Sequence, residues 1–487
     1  MKKRIHSLKK LKEMTNRPNL IILLLIIFMG ACKTPALIEE PKMLNLPAFF
    51  GNVKDTTSIA SLPWRNYFKD PLLQKLIDTA LTNNQELLMV LQEIEMARND
   101  IRVRQGMLLP FVTGRGGAGI DKVGRYTSQG AGDASTDISP GKKVPDWLTD
   151  QVAGAYAHWE IDIWKKLRNA RQAAVQRYLA TVEGKNFVIT SLVSEIAGDY
   201  YELLALDNQL EIVRQSITLL KNALEVIRIQ KEGAMVNELA VKKFEAEVLN
   251  YQGQEFEIIQ KIRETENEIN FLLGRYPQPI ERDKTLFINM TLPAVNAGIP
   301  SQLLQRRPDI RQAEMELAAS RLDVKVARAE FYPSLELNGA LGLNAFRPDY
   351  LVRLPESMIF SLASELTGPI FNRSAISAEY RNANARQIQS LYHYQQTIVG
   401  AMKEVSTELS RIEKLQKIYE LKSQEVEALS RSIDVSNELF KYARADYLEV
   451  LMTQRDGLES RLELIETRLQ QMMATTHLYK YLGGGWN

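Results

Sequence analysis

From Leu203 to Ile227 the apolar residues Leu203, Leu206, Leu210, Val213, Ile217, Leu220, Leu224 and Ile227 step three, four, three, four without a break. That spacing is the 3.5-residue seam of a coiled coil, whose knobs enter holes on a neighbouring helix. Moving 209 positions on gives Ile412, Leu415, Tyr419, Lys422, Val426, Leu429, Ile433 and Ser436, mostly apolar and in the same phase. Nearer the N-terminus, Arg98, Pro110, Gly116 and Gly119 recur 223 positions later as Arg321, Pro333, Gly339 and Gly342. The chain therefore carries one helical and strand-bearing unit twice.

The pattern predicts a helix from Pro71 to Met107, with Asp70 as N-cap and Pro71 at the first position. Pro110 and the glycines after it end that helix and open a strand at about 110–119; residues 120–150 read as an exposed loop, and a second strand follows at about 152–161. In the second copy Leu335, Leu337, Gly339, Leu341 and Leu343 alternate with Glu336, Asn338, Ala340 and Gly342, predicting strands at about 334–343 and 358–367. Periodicity alone leaves a small soluble sheet open as an alternative. Residues 164–231 and 371–442 hold almost no Pro and little Gly, and read as two very long helices, each reversing tightly into a shorter return helix.

Four strands cannot close a barrel, whose smallest members have about eight. The protomer must then oligomerise, and three copies would supply twelve strands and a ring of helical hairpins. The fold class expected is mainly α with a membrane β-barrel, in which long coiled-coil helices form a tube continuous with that barrel.

The ends sharpen this picture. Lys2, Lys3, Arg4, Lys9, Lys10, Lys12 and Arg17 precede a short apolar run, Leu20 to Met29, about half the ~20 residues that a spanning helix needs. Residues 1–31 read as a signal peptide. Cys32, the only cysteine, follows Met29-Gly30-Ala31, which is similar to a bacterial lipobox with Met in place of the commoner Leu, and is expected to be acylated, for instance with palmitate. The alternatives are a plain secretory signal or an uncleaved anchor. With 45% hydrophobic and 25% charged residues and a formal net charge of +2, the chain gives no reason to expect a nucleic-acid partner. The four histidines, His6, His158, His393 and His477, are isolated, and no metal-ligand spacing, phosphate loop or nucleophile elbow is present. No enzyme activity, cofactor or metal is expected.

The segment Leu304-Gln305-Arg306-Arg307-Pro308-Asp309-Ile310-Arg311, then Ala327-Arg328-Ala329 and Phe331-Tyr332-Pro333-Ser334-Leu335, resembles the signature of TolC/OprM-like outer membrane factors, in the lipoprotein branch of the efflux channels. The resemblance runs from about Trp64 to Tyr481 and takes in Trp159-Glu160-Ile161-Asp162-Ile163-Trp164 and Asp446-Tyr447-Leu448-Glu449-Val450-Leu451. It implies a homotrimer in the outer membrane of a Gram-negative bacterium, with a periplasmic α-helical tunnel docked to an inner-membrane pump through a periplasmic adaptor. The domain order expected is signal 1–31, lipid-anchored extension 32–70, first repeat 71–276, linker 277–300, second repeat 301–482 and tail 483–487.

The resemblance also implies that the tunnel narrows where the helical reversals meet, here Lys231–Leu239 and Phe440–Leu451. Gate and selectivity candidates are Arg444, Asp446, Glu449, Asn237 and Glu238: Glu449 facing the constriction, Arg444 and Asp446 pairing neighbouring hairpins shut. The frequent family glycine is replaced by Ala234 and Ala443, and the common arginine after the first by Met235, which weakens the case for the first tip. Arg306, Arg307, Pro308, Asp309 and Pro333 read as structural, because proline suits the first turn of a helix and an aspartate there favours the positive end of its dipole. The function implied is a passive exit duct for drugs or small toxic organic compounds, with metal ions or a secreted polypeptide as alternative cargo. Rival readings are a periplasmic adaptor, which would show one hairpin inside a β-rich chain, and a purely structural coiled-coil lipoprotein, which would leave the strands unexplained.

Overall fold

The computed structural model describes residues 34–43, 45–50, 57–284, 286–293, 295–442 and 444–486. The signal segment, Cys32 and Ala443 lie outside them. The elements in order are α1 (Trp64–Tyr67), α2 (Pro71–Asn83), α3 (Gln85–Gly106), β1 (Phe111–Asp121), α4 (Ser128–Ser135), β2 (Asp137–Ser139), β3 (Lys142–Lys143), β4 (Leu148–Ile161), α5 (Lys166–Glu232), α6 (Glu238–Leu272), α7 (Leu286–Asn289), α8 (Pro300–Arg306), α9 (Pro308–Ala329), β5 (Ser334–Ala345), α10 (Pro348–Leu351), β6 (Met358–Thr367), α11 (Ser374–Lys441) and α12 (Tyr447–Tyr481).

The chain divides into two compact units. One comprises Met96–Tyr178 and Glu316–Leu391 with the N-terminal segment up to Pro41; the other comprises Lys42–Glu95, Leu179–Met315 and Tyr392–Asn487.

The first unit is organised by one antiparallel sheet in the order β1-β4-β5-β6. Each strand pair comes from one sequence copy, and the copies meet where β4 pairs with β5 from Gln151↔Ala345 to Ile161↔Leu335. At the centre of that ladder Gly154 stands opposite Gly342. A Cβ on Gly342 would lie 2.6 Å from the Ala153 carbonyl oxygen, so only glycine lets the two backbones pair here. The predicted loop at 120–150 differs from expectation: it holds the helix α4 and the small β2–β3 ribbon. Thr127 caps α4 by accepting from the Gly130 amide at 3.1 Å, a local signal hidden in a Gly/Ser-rich stretch.

In the second unit the seam Leu203 to Ile227 is fully buried. It packs against Ala240, Val241, Phe244, Val248 and Tyr251 of α6 and Leu458 of α12. The corresponding positions of α11 are mostly half-buried. Two of them are polar, and Lys422 pairs with Glu425 at 2.8 Å and Glu463 at 2.5 Å. The helix expected from Pro71 to Met107 is two helices. It breaks at Asn84, whose buried amide accepts from the Leu87 N–H at 2.9 Å and donates to the Leu272 carbonyl at 2.9 Å. A side chain that caps the next helix competes with continuation of the previous one. No described helix is long and apolar enough to cross a membrane.

Candidate channel wall and hairpin tips

The sheet has one apolar and one polar face. Leu335, Leu337, Leu341 and Leu343 of β5 stand opposite Leu366, Ser364, Phe360 and Met358 of β6, while Ala153, Ala155, Ala157 and Trp159 of β4 share that face. These side chains meet solvent: Phe360 is 75% and Leu362 72% exposed. On the other face His158 Nδ1 lies 2.8 Å from Asn338 Oδ1. Glu160, Glu336 and Glu365 stand side by side across β4, β5 and β6 there. Lys166, just past β4, reaches Glu160 at 2.6 Å and Glu330 at 3.7 Å. Burial works against the charged Lys166 ammonium, but the hydrogen bond to Glu160 and the charge of Glu330 outweigh it and hold Lys166 above the usual lysine range.

Strands β1 and β6 are the two edges of this sheet. Such edges present rows of unpaired backbone N–H and C=O groups, which lipid cannot satisfy and a neighbouring strand can. Apolar side chains facing outward with polar ones on the opposite face are the alternation of a membrane-barrel wall. At the end of this wall Trp164 donates its indole N–H to the Pro333 carbonyl at 2.8 Å and stacks on Tyr332.

In the second unit both helical reversals are closed by local rules. At the first, Met235 donates its amide to the Gln230 carbonyl and Ala234 to the Lys231 carbonyl, each at 2.9 Å. This is the Schellman pattern, and it puts Ala234 at φ +55°, the left-handed position that glycine usually fills. Asn237 then caps α6 by accepting from the Ala240 amide at 3.1 Å. Glu238 pairs with Lys231 across the turn and, at 3.8 Å, with Lys242. The hydrogen bond from Lys231 holds the Glu238 carboxyl below its usual range.

At the second reversal the Arg444 amide donates to the Leu439 carbonyl at 2.8 Å, and Asp446 is the N-cap of α12 without a side-chain bond to it. Arg444, Asp446 and Glu449 are all exposed. Among the described residues their side chains form no ion pair. The two tips thus differ: Lys231, Asn237 and Glu238 are engaged within the first, whereas the charges of the second point at solvent.

The arginine-proline cluster lies elsewhere in this unit. Pro308 opens α9 with Asp309 in its first turn. Arg307 is buried and donates to Asp309 at 2.6 and 3.0 Å, to Glu404 at 2.7 Å and to the Tyr481 carbonyl at 3.0 Å. Burial opposes its charge, but the paired carboxylates outweigh that and hold it above its usual range. Arg306 uses its carbonyl to accept from the Trp486 indole at 3.3 Å, which binds the C-terminal tail. Sequence reasoning missed a second buried network, in which Arg282 of the inter-repeat linker joins Asp207 at 2.5 Å to Glu266 at 2.8 Å. No periodic signal marks it; only the occurrence of Asp207 beside a heptad seam hints at a partner. Among the described residues no three His, Cys, Asp or Glu side chains are placed to hold a metal ion.

An open sheet with an apolar outer face, two unpaired edges and long helical hairpins defines a membrane-channel protomer. The chain belongs to the outer membrane efflux protein family, whose model matches residues 76–275 and 299–484. It is 29% identical over 471 residues to the pyoverdine export outer membrane protein OpmQ of Pseudomonas aeruginosa, covering 96% of this chain and 97% of that protein. It is 27% identical over 439 residues to the cation efflux system protein CusC of Escherichia coli, covering 90% and 91%. Its fold matches the open state of the MtrE outer membrane channel of Neisseria gonorrhoeae with a TM-score of 0.81 at 23% identity, over 93% of this chain and 98% of that one.

Proposed function

We propose that this protein is the outer-membrane exit duct of a tripartite efflux system, a lipid-anchored homotrimer that passes small toxic organic compounds. An inner-membrane pump energises it through a periplasmic adaptor. The observation that carries this reading is the open sheet with one apolar face and two free edges. Three protomers joined edge to edge give twelve strands, enough to close a barrel with its polar face around water. The duct is passive and has no catalytic role.

The relatives support organic cargo without selecting one compound. A pyoverdine exporter and a cation exporter are nearly equally similar to this chain. A shared duct need not recognise its cargo, and selection then belongs to the pump. Acylation at Cys32 holds the trimer to the membrane.

The gate lies at the second tip. Arg444 and Asp446 form no ion pair among the described residues and are available to pair with neighbouring hairpins, and Glu449 supplies a ring of three carboxylates at the mouth. Such a ring concentrates negative potential and favours cations. The test is single-channel conductance of the detergent-extracted protein in planar bilayers, with oligomeric mass measured on the same sample. A trimer with small, cation-selective openings supports the duct; a monomer or a non-conducting oligomer sinks it. Unchanged selectivity in Glu449→Gln removes the carboxylate ring, and unchanged gating in Arg444→Ser with Asp446→Ala removes the latch.

A further inference from the structure

The polar face of the sheet, which the exit-duct reading turns toward the lumen, changes charge along its length. At the end where α5 and α11 begin stand Glu160, Glu336 and Glu365, with Lys166 beside Glu160. At the opposite end stand Asp150, across from Gly119, and Asp121, across from Leu148. Between these acidic rows the face carries one Lys, Arg, Asp or Glu side chain among the described residues, Arg115 of β1. Its own row across the four strands is Arg115, Gly154, Gly342 and Ile359. The next row toward the helices, Thr113, Tyr156, Ala340 and Ser361, is uncharged. Arg115 is exposed, lies 5.8 Å from the centre of the Tyr156 ring and has no ion pair among the described residues. The two glycines beside it offer no side chain that could shield the guanidinium from water.

A guanidinium stays charged at any working pH and presents a planar fork of donors that matches carboxylate and phosphate groups. With no fixed counter-charge in its row, it sets a positive potential in the water around it. We propose that Arg115 is a specificity-determining residue: one guanidinium from each protomer forms a positive belt midway along the barrel, which draws organic anions to this level and holds back organic cations. The belt opposes the cation preference of the tip carboxylates, so the barrel and the tips select in opposite senses. The inference rests on the exit-duct reading above.

The experiment introduces Thr113→Cys, two residues from Arg115 on the same face, into the full-length detergent-extracted protein. Its reaction rates with two methanethiosulfonates, one bearing a sulfonate and one a trimethylammonium group, are compared after subtracting the background of the protein without that substitution. Positions two apart on a strand are about 7 Å apart. Removing the charge in Arg115→Gln is therefore expected to lower the anion-to-cation rate ratio about fivefold at ~10 mM salt and scarcely at ~1 M, where the screening length falls from about 30 to about 3 Å. Arg115→Lys keeps the ratio. In planar bilayers under a salt gradient at low ionic strength, the reversal potential shifts toward greater cation selectivity in Arg115→Gln. If Arg115→Gln fails to assemble, raising the salt on the Thr113→Cys protein alone lowers the ratio in the same direction. A ratio that responds to neither charge nor salt overturns the belt, and a changed ratio with an unmoved reversal potential overturns its role in selectivity. A protein that carries no current in any form overturns the duct reading itself.

Discussion

Asn237 and Asp446 hold the same N-cap position at the start of the two return helices, and only Asn237 turns its side chain back onto its helix, accepting the Ala240 amide at 3.1 Å. An N-cap side chain satisfies one of the orphan amides of the first turn, and its loss costs about 1 kcal/mol. Asn237→Ala is therefore expected to speed amide exchange at Ala240 roughly fivefold, as about 1 kcal/mol implies. Asp446→Ala leaves the matching amides of α12 nearly unchanged. Equal effects at the two tips would contradict this asymmetry.

Ala234 stands at φ +55° in the first turn. Left-handed backbone costs a non-glycine residue roughly 1–2 kcal/mol. Ala234→Gly is expected to raise the thermal stability of the detergent-solubilised protein, while Gly233→Ala, at a position of ordinary φ, does not. A fall in midpoint for Ala234→Gly would show that the flexibility gained by the unfolded chain outweighs the relieved strain.

Gly342 is held 2.6 Å, measured from a Cβ it lacks, from the Ala153 carbonyl, whereas a Cβ on Gly114 would meet nothing within 4 Å. Gly342→Val is expected to abolish the heat-modifiable, barrel-containing species on gels. Gly114→Ala, on the edge strand, leaves it intact. If both variants assemble normally, the close approach of β4 and β5 is not required.

Asp199 is pushed up to about 7 by burial first and then by the neighbouring carboxylates of Glu202, Glu268 and Glu195. Its folded form binds a proton between its ordinary pKa of 3.8 and about 7, where the unfolded chain does not. Stability from this group is therefore present at low pH and lost as pH rises toward 7. Asp199→Asn is expected to stabilise the protein at pH 8 by on the order of 2 kcal/mol and to change little at pH 4, read from denaturation midpoints. An equal shift at both pH values would refute the titration.

Arg307 is buried among Asp309, Glu404 and the Tyr481 carbonyl. Removing one partner of a buried pair strands the rest, at a cost of about 3–5 kcal/mol. Arg307→Met is expected to lower the unfolding midpoint far more than Arg386→Met, whose partner Glu379 is exposed. Conductance of whatever channel remains is expected to be unchanged, since Arg307 bonds to Asp309, Glu404 and the Tyr481 carbonyl and not to Arg444, Asp446 or Glu449.

What one sequence determines by itself is set by local periodicity. A 3.5-residue seam names a long paired helix, and period two with glycine and proline punctuation names the strands, so β5 and β6 fall where the alternation of Leu335 to Leu343 and Met358 to Leu362 puts them. The cysteine after an apolar leader and the arginine-proline cluster are equally local. Tertiary structure decided the rest. The break at Asn84 depends on the Leu272 carbonyl, 188 residues away. The buried seam of α5 and the half-buried one of α11 share a pattern and differ in their neighbours. Arg282 finds Asp207 and Glu266 only because the linker folds back onto α5 and α6. Periodicity records which face of an element avoids water; which partner covers that face, and which charge is left without one, depends on contacts far apart in the chain.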